Sequence, residues 1–259
     1  MERLKNIELF VLDMDGTIYL GKNVLPGARE FVSHIKNSGK KIMYFTNNAS
    51  NDHKIYIDRL TNMGFDADES EIFSAADVTA MYLCKNHPDA KVYVVGTPAL
   101  ENTFLQYGIN LTDGTEGDIV VTSFDTTLTY DKLVKACDLI RNGAIYYCTH
   151  PDFNCPTENG FIPDSGAIAA LVTASTGVTP RYFGKPYRET ADMIAQKSEK
   201  PFSKIAVVGD RLYTDIALGK KHGILSVLVL SGETKIDDVT EENRADIIVD
   251  GIGDLIQYT

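Results

Sequence analysis

Two carboxylates separated by one residue, Asp13 and Asp15, follow an apolar run near the start of the chain. The run, residues 7–12, is short and mostly apolar, which is typical of a parallel strand buried on both faces. In an extended chain, side chains two apart point the same way, so both carboxylates would project from the carboxyl end of the strand. Open α/β sheets bind ligands at that end. Two like charges this close repel each other, and Mg²⁺ bound by Asp oxygens would relieve the repulsion.

An acidic turn is the alternative interpretation of this segment, because Asp-Gly is a common turn dipeptide. The buried strand before Asp13 and the threonine that follows Gly16 favour a functional site instead. A bare Asp-x-Asp-Gly without that context would favour the turn.

A second polar segment, Thr46-Asn47-Asn48, follows the apolar run at 41–45 and precedes a helix expected at about 51–63. Hydroxyl and backbone N–H groups at a helix N-terminus are suited to an anion, so Thr46, Asn47 and Asn48 are candidate ligands for one. Simple helix capping by Asn48 or Ser50 is the alternative. Both interpretations hold together if Thr46 and Asn47 bind the ligand and Ser50 caps the helix.

A single lysine, Lys185, lies between Gly184 and Pro186 at the head of a helix expected at 187–197. An isolated lysine is usually a solvated surface charge. A lysine held between glycine and proline is better fixed than most, and opposite Asp13 it would supply a cation for phosphoryl transfer.

The last polar segment follows the buried run 205–208 and contains Asp210 and Asp215. Asp210 follows a strand and a glycine, so it would stand at a carboxyl end like Asp13 and complete a metal site with it. Capping of a helix at about 215–222 is the alternative, and it competes more strongly for Asp215 than for Asp210.

These four segments, in this order, resemble the four motifs of the haloacid dehalogenase-like hydrolases, a superfamily made up mostly of phosphatases. The resemblance covers the whole chain, and its combination of motifs is more specific than any single motif. Thr-Asn-Asn-Ala-Ser, Gly-Lys-Pro and Gly-Asp-Arg-Leu-Tyr-Thr-Asp resemble the NagD-like branch, which includes p-nitrophenylphosphatases and nucleotide monophosphatases. The family implies a small phosphomonoester as substrate, such as a sugar phosphate or a nucleoside monophosphate.

The chemistry of the residues and the family resemblance agree on the catalytic roles. Asp13 would attack phosphorus and form an aspartyl-phosphate, while Asp15 would protonate the leaving oxygen and then activate water. Mg²⁺ would be held by Asp13, Asp210 and the backbone carbonyl of Asp15.

The remaining motif residues would bind the phosphoryl group or orient its ligands. Thr46, the backbone of Asn47 and Lys185 would hold the phosphoryl oxygens, with Asn48 next to them. Asp215 would orient Lys185 or a metal-bound water.

The pattern of strands and helices predicts an α/β protein with a Rossmann-like core and an inserted smaller α/β domain. The core is expected at 1–80 and 180–259, with about five parallel strands, and the insert at 81–179 is expected to be a cap domain. The cap loop 150–156 contains His150 and Asp152, which are either ordinary loop polarity or contacts to the leaving group.

Composition limits the classes of partner and compartment. The net charge is −11, and such a chain repels nucleic acid and anionic membranes. Its four cysteines form no Cys-x-x-Cys pair, and the first strand begins too early for a signal peptide, so a cytoplasmic enzyme is expected. A homodimer formed through the cap is one arrangement that the sequence leaves open.

Three other functions share the fold or the motifs. A dehalogenase needs neither a proton donor nor a metal, so Asp15 and Asp210 argue against it. A phosphomutase of this superfamily usually carries its cap between the first two motifs, where this chain has no room. A non-catalytic phosphate-binding module would be expected to lack a motif residue, whereas this chain keeps all of them.

Overall fold

The structure is a computed structural model that describes residues 2–157 and 160–259. The chain forms two compact units. The first contains the chain up to Thr46, His53–Phe73 and Lys185–Thr259, and the second contains Asn47–Asp52 and Ser74–Gly184. The α/β fold class predicted from the sequence is confirmed.

Six strands form the sheet of the first unit within the described part of the chain. In spatial order they are Ile247–Val249, Leu225–Val229, Ile205–Gly209, Leu9–Leu12, Lys41–Thr46 and Ile72–Ser74. The ladders that join the first five are parallel. The sequence indicated about five strands, because Ile72–Ser74 has only three residues and shows no clear period. A separate short hairpin pairs Tyr19–Leu20 with Asn23–Val24.

Helices cover this sheet through apolar residues spaced three and four apart. In Ala28–Asn37 the buried positions are Ala28, Phe31, Val32 and Ile35, and Phe31 packs edge-on against Phe10 of the central strand at 5.6 Å. The other α-helices of this unit are Glu2–Lys5, His53–Asn62, Arg188–Ser198 and Ala217–His222. Short 3₁₀ turns lie at Glu69–Glu71, Phe202–Lys204, Ile236–Asp238 and Ile252–Tyr258.

The second unit has its own parallel sheet. In spatial order its strands are Arg181–Tyr182, Ile145–Cys148, Ile119–Thr122, Lys91–Val95 and Asn110–Leu111. Its helices are Ala75–Asn86, Pro98–Gln106, Tyr130–Arg141 and Ser165–Thr176. Hydroxyls at Ser74, Thr97 and Thr129 accept backbone N–H groups at the starts of the first three helices, as these residue types favour.

The helix Ala75–Asn86 belongs to the second unit, although the sequence assigned residues up to 80 to the core. One reason is a polar contact inside that unit: Tyr107 donates its hydroxyl to Asp77 Oδ1 at 3.0 Å. Asp77 is fully buried and also accepts the backbone N–H and hydroxyl of Ser74, so this end of the helix is fixed.

A hairpin of Asn154–Thr157 and Gly160–Pro163 was not predicted. The sequence suggested only a polar loop there, because proline removes a ladder donor and argues against a strand. Pro156 and Pro163 fit because these two strands form a sheet of their own. None of the helices among the described residues has the length and apolar character needed to cross a membrane.

Candidate active site

Asp13 lies at the carboxyl end of the central strand Leu9–Leu12. Its backbone N–H donates to Val208 O at 2.9 Å, which continues the ladder for one more residue. The flanking strands end at Thr46 on one side and at Gly209, just before Asp210, on the other. Asp13, Thr46 and Asp210 therefore lie together at the carboxyl ends of three adjacent parallel strands.

Three carboxylates converge at these carboxyl ends of the strands. One oxygen from each of Asp13, Asp210 and Asp215 lies within 4.8 Å of the others. Asp210 is 2% exposed and Asp215 is completely buried, while Asp13 is partly accessible. Asp215 does not cap an α-helix: it lies in a π-helical turn, Leu212–Ile216, that precedes the helix Ala217–His222.

Lys185 supplies a positive charge inside this cluster. Its Nζ donates to Asp13 Oδ1 at 2.6 Å and to Asp215 Oδ1 at 2.7 Å, and the residue is only 2% exposed. The ammonium also lies 5.2 Å from the centre of the Phe45 ring. The sequence left open whether Lys185 was a surface charge, and its burial between two carboxylates excludes that interpretation.

The charges of the cluster do not balance, since one ammonium faces three carboxylates. Burial raises the pKa of Asp13 to about 7, with Lys185 opposing that rise and the other two carboxylates adding to it. Burial raises the pKa of Asp210 to about 6, and Asp215 adds to the rise. Burial alone would lower the pKa of Lys185, but the adjacent carboxylates outweigh it and raise that pKa. The cluster therefore favours one more cation.

One buried oxygen is placed to accept such a cation. Asp210 Oδ2 accepts the backbone N–H of Glu233 at 2.7 Å, whereas Asp210 Oδ1 is buried and has no hydrogen-bond partner among the residues that the structure describes. A buried carboxylate oxygen without a donor is unfavourable unless a cation binds it. Carboxylate oxygens are the ligands that Mg²⁺ prefers, so this donor set fits that ion.

Asp15 lies in different surroundings from Asp13, because the chain turns after the strand. Gly16 has φ +87°, and its N–H donates to Tyr19 O at 2.7 Å. The Asp15 side chain is exposed, and it contributes no oxygen to the cluster of three carboxylates. Partial desolvation raises the pKa of Asp15, while Arg211 and Arg59 oppose the rise. A carboxyl that holds its proton more tightly than usual is suited to act as an acid.

The residues of the second motif are divided between the two units. Thr46 ends its strand in the first unit, and Asn47 and Asn48 belong to the second. Asn47 Nδ2 donates to Asp152 Oδ2 at 3.1 Å within that unit. Asn48 Oδ1 accepts the N–H and the hydroxyl of Ser50 at 2.9 and 2.7 Å, so its carboxamide oxygen stabilises a local turn.

The His150 side chain is not exposed on a surface loop, and both of its ring nitrogens have partners within the protein. It is completely buried, with Nε2 2.8 Å from Asp164 Oδ1 and Nδ1 3.0 Å from Thr149 Oγ1. Burial opposes the charged imidazole, but the carboxylate of Asp164 outweighs it and raises the pKa of His150. No local sequence signal predicts this pair, since Asp164 lies fourteen positions after His150 and neither residue type indicates the contact.

Arg211 and Glu233 are further residues beside the site that the sequence did not single out. Arg211 Nε lies 3.0 Å from a Glu233 carboxylate oxygen, and the Tyr213 hydroxyl donates to the same oxygen at 3.2 Å. The position of Arg211 directly after Asp210 was the available signal. Glu233 contacts Asp210 through its backbone N–H, and such a contact cannot be recognised from the residue type.

Comparisons with known proteins agree with this geometry. A family model described as haloacid dehalogenase-like hydrolase matches residues 10–110, and a related HAD-hydrolase-like model matches 182–255. The acid sugar phosphatase of Staphylococcus aureus (strain MRSA252) is 33% identical over 240 residues, 93% of each chain.

Solved structures give the same result. A 4-nitrophenylphosphatase from Thermotoga maritima has a TM-score of 0.94 and 43% identity, covering 98% of each chain. A protein described as a nagD protein has a TM-score of 0.92 and 42% identity, covering 98% of this chain and 99% of its own. The chain belongs to the haloacid dehalogenase-like hydrolases, in their NagD-like branch.

Proposed function

We propose that this protein is a Mg²⁺-dependent phosphatase that hydrolyses a small phosphomonoester through an aspartyl-phosphate. The observation that carries the proposal is the cluster of Asp13 and Asp210, at adjacent strand ends, around Lys185. Within the described residues, Asp210 Oδ1 has no hydrogen-bond partner. Relatives named acid sugar phosphatase and 4-nitrophenylphosphatase support a phosphomonoester substrate.

In the first chemical step, Asp13 attacks phosphorus. A bond forms between a carboxylate oxygen and phosphorus as the bond to the leaving oxygen breaks, and Asp15 gives its proton to that oxygen. In the second step Asp15 takes a proton from water, which attacks the aspartyl-phosphate and releases inorganic phosphate. Asp13 is then a free carboxylate again, and Asp15 is protonated for the next cycle.

The charged residues around Asp13 stabilise the groups that react. Lys185, held at 2.6 Å from Asp13, opposes the rise in the pKa of the nucleophile and would neutralise charge on the phosphoryl oxygens. Asp215 fixes the ammonium from its other side at 2.7 Å, so Lys185 cannot fold entirely onto the nucleophile. Thr46 of the same unit is a further candidate phosphate ligand, and the family resemblance adds Asn47 and Asn48 as candidates.

Asp13, Asp210 and the backbone carbonyl of Asp15 would hold the metal ion. When bound, Mg²⁺ supplies positive charge that offsets the charge on the phosphoryl oxygens during transfer. The unpartnered oxygen of Asp210 and the excess of carboxylates over cations support this assignment.

Residues 81–179 are the cap domain in this proposal, and the cap selects among substrates. The insertion falls between the second and third motifs, and the contact of Asn47 with Asp152 ties the second motif to the inserted unit. A cap that closes over the substrate excludes water and contacts the leaving group, so it can discriminate between substrates that differ in that group. Sugar phosphates and nucleoside monophosphates are the substrate classes to test first.

The test is release of inorganic phosphate from p-nitrophenyl phosphate and from a panel of sugar phosphates and nucleoside monophosphates. We expect turnover with Mg²⁺, none in excess chelator, and none for Asp13→Asn under either condition. Asp192→Asn is the matched control, because Asp192 is an exposed carboxylate of the same unit that pairs with Arg188 at 2.8 Å. Full turnover in chelator, or an active Asp13→Asn variant, would overturn the proposal.

A further inference from the structure

The loop that follows strand Leu225–Val229, residues 230–234, contacts both acidic motifs without adding a carboxylate to the cluster. Its Glu233 N–H donates to Asp210 Oδ2 at 2.7 Å, and its Thr234 N–H donates to the backbone oxygen of Asp210 at 3.3 Å. Its Ser231 hydroxyl donates to the backbone oxygen of Gly16 at 2.8 Å. One loop therefore holds Asp210 and the turn after Asp15 together.

Two glycines leave room for the carboxylate of Asp210. A methyl group at Gly232 would lie 2.0 Å from Asp210 Oδ2, and one at Gly16 would lie 2.3 Å from the same oxygen. Gly16 also needs its positive φ of +87°, whereas Gly232 has no such conformational requirement. Glycine is thus required at position 232 because a larger side chain would collide with the carboxylate of Asp210.

These contacts decide which oxygen of Asp210 is left for a ligand. Oδ2 is enclosed by the two glycines and satisfied by the Glu233 N–H. Oδ1 remains buried and without a partner among the described residues. Because a carboxylate with one satisfied oxygen has a fixed orientation, its other oxygen is presented in one direction only.

We propose that loop 230–234 is a positioning element for the divalent cation. Glu233 N–H orients the carboxylate of Asp210, the absence of a side chain at Gly232 leaves room for it, and Ser231 fixes the turn whose Asp15 carbonyl would be a ligand of the ion. The inference rests on the proposed function, since it concerns the same metal site. It assigns Ser231 and Gly232 to metal binding, although neither of them touches the ion.

A purely structural role for the loop makes a different prediction. If Ser231 only closes the end of the sheet, its loss would lower stability and leave the affinity for Mg²⁺ unchanged. The discriminating quantity is therefore the Mg²⁺ dissociation constant of the full chain without substrate, measured by isothermal titration calorimetry beside the melting temperature in chelator.

Partners outside the first ligand shell typically change metal affinity by roughly 10–100-fold. We expect Ser231→Ala to weaken Mg²⁺ binding about 10-fold and Gly232→Ala, whose methyl group displaces the carboxylate, about 100-fold. Ser231→Thr keeps the hydroxyl and should stay within about 3-fold of the original chain. Ser226→Ala is the matched control: it removes serine contacts to Asp246 at 2.9 and 3.0 Å near the opposite end of the same strand. It should lower the melting temperature and leave the Mg²⁺ affinity unchanged.

The outcomes separate this inference from the proposed function. If the unmodified chain binds Mg²⁺ and Asp210→Ala does not, but Ser231→Ala and Gly232→Ala bind it as well as the unmodified chain, the loop has no positioning role and the metal site stands. Equal weakening by Ser231→Ala and Ser226→Ala also overturns the inference, because the effect is then general. If the unmodified chain binds no Mg²⁺, the metal site and the inference both fail.

Discussion

Replacing Lys185 with methionine tests the charge balance of the active site most directly. Methionine keeps an unbranched stem of similar length and removes the ammonium. At an effective dielectric constant of about 20, each contact, at 2.6 Å to Asp13 and 2.7 Å to Asp215, corresponds to about 6 kcal/mol of attraction before desolvation is subtracted. Breaking a buried pair by removing one partner typically destabilises a protein by about 3–5 kcal/mol.

Protonation sets an independent limit on that loss. Without Lys185, the folded protein can relieve the repulsion by holding one additional proton on a carboxyl whose ordinary pKa is near 3.8. At about 1.36 kcal/mol per pH unit, that proton costs about 4 kcal/mol at pH 7 and about 2 kcal/mol at pH 5. The limit at pH 7 agrees with the range expected for a broken buried pair.

The sign of the pH dependence follows from the same proton. A carboxyl whose folded pKa is raised destabilises the fold above its ordinary pKa, and the penalty disappears as the pH falls toward that value. The deficit in the free energy of unfolding of Lys185→Met should therefore shrink from about 4 kcal/mol at pH 7 to about 2 kcal/mol at pH 5. Excess Mg²⁺ should recover part of the deficit, because the ion replaces the missing positive charge.

The assay is denaturant unfolding of the original chain and Lys185→Met in chelator between pH 5 and pH 8. Because the chain has two compact units, the transition that contains the first unit is the one to compare. Lys200→Met is the matched control: Lys200 lies 2.6 Å from Glu8, but that pair is partly exposed and should contribute little. A deficit that is absent at pH 7, or that grows as the pH falls, would refute the reasoning.

Three further predictions concern turnover. Asp15→Asn should lose about 10²–10⁴-fold in turnover of sugar phosphates, but far less in the first step with p-nitrophenyl phosphate, because that leaving group needs no proton. A burst of nitrophenol near one equivalent per site, followed by slow turnover, would identify the trapped aspartyl-phosphate. Equal losses on both substrates would contradict the assignment. Asp210→Ala should need a higher Mg²⁺ concentration and lose activity even at saturation, which a titration of phosphate release against Mg²⁺ measures; an unchanged titration curve would remove Asp210 from the site. Replacing residues 81–179 with a short linker should keep some activity on p-nitrophenyl phosphate and abolish discrimination among larger esters; an unchanged ranking of substrates would show that the insert is not the selector.

Much of the fold could be predicted because its local signals agree with its tertiary packing. Ala28–Asn37 has apolar residues at helical spacing and a glycine shortly after its end, and it forms a helix whose apolar positions are buried. Lys91–Val95 is apolar after its first residue, and it forms a strand that is buried between two parallel neighbours. Elements of two or three residues, such as Arg181–Tyr182, carry no period and depend on partners far away in the chain.

Side-chain environments were harder to predict than elements. His150 has the composition of a polar loop, yet it is buried because Asp164, fourteen positions later, satisfies Nε2. Asn48 is a candidate phosphate ligand, and its carboxamide oxygen accepts two donors of Ser50 in a local turn. In both cases the partner is a small polar residue whose contact depends on the path of the backbone, which residue type alone does not specify.

The residues of the site likewise fall into those with a local sequence signal and those that depend on the path of the backbone. Asp13, Lys185 and Asp210 could be selected from the sequence because each follows a strand or precedes a helix in a distinctive local pattern. Loop 230–234 could not, because it acts on Asp210 through a backbone N–H and through the missing side chain of Gly232. Backbone donors occur at nearly every residue, and a glycine without positive φ gives no local signal.

A site assembled in this way has a defined electrostatic consequence. Neighbouring strand ends bring together more negative charge than Lys185 can balance. Burial raises the pKa values of Asp13 and Asp210, and the neighbouring carboxylates add to that rise. Protonation would relieve the excess of negative charge but would neutralise the nucleophile, whereas a divalent cation relieves it and keeps Asp13 ionised. In our proposal loop 230–234 favours binding of the cation, because it satisfies one oxygen of Asp210 while the other has no hydrogen-bond partner in the described part of the chain. If Asp13 is the nucleophile, as we propose, the carboxylate arrangement that is unfavourable without a metal ion is also the one that would keep Asp13 ionised for attack on phosphorus once the ion is bound.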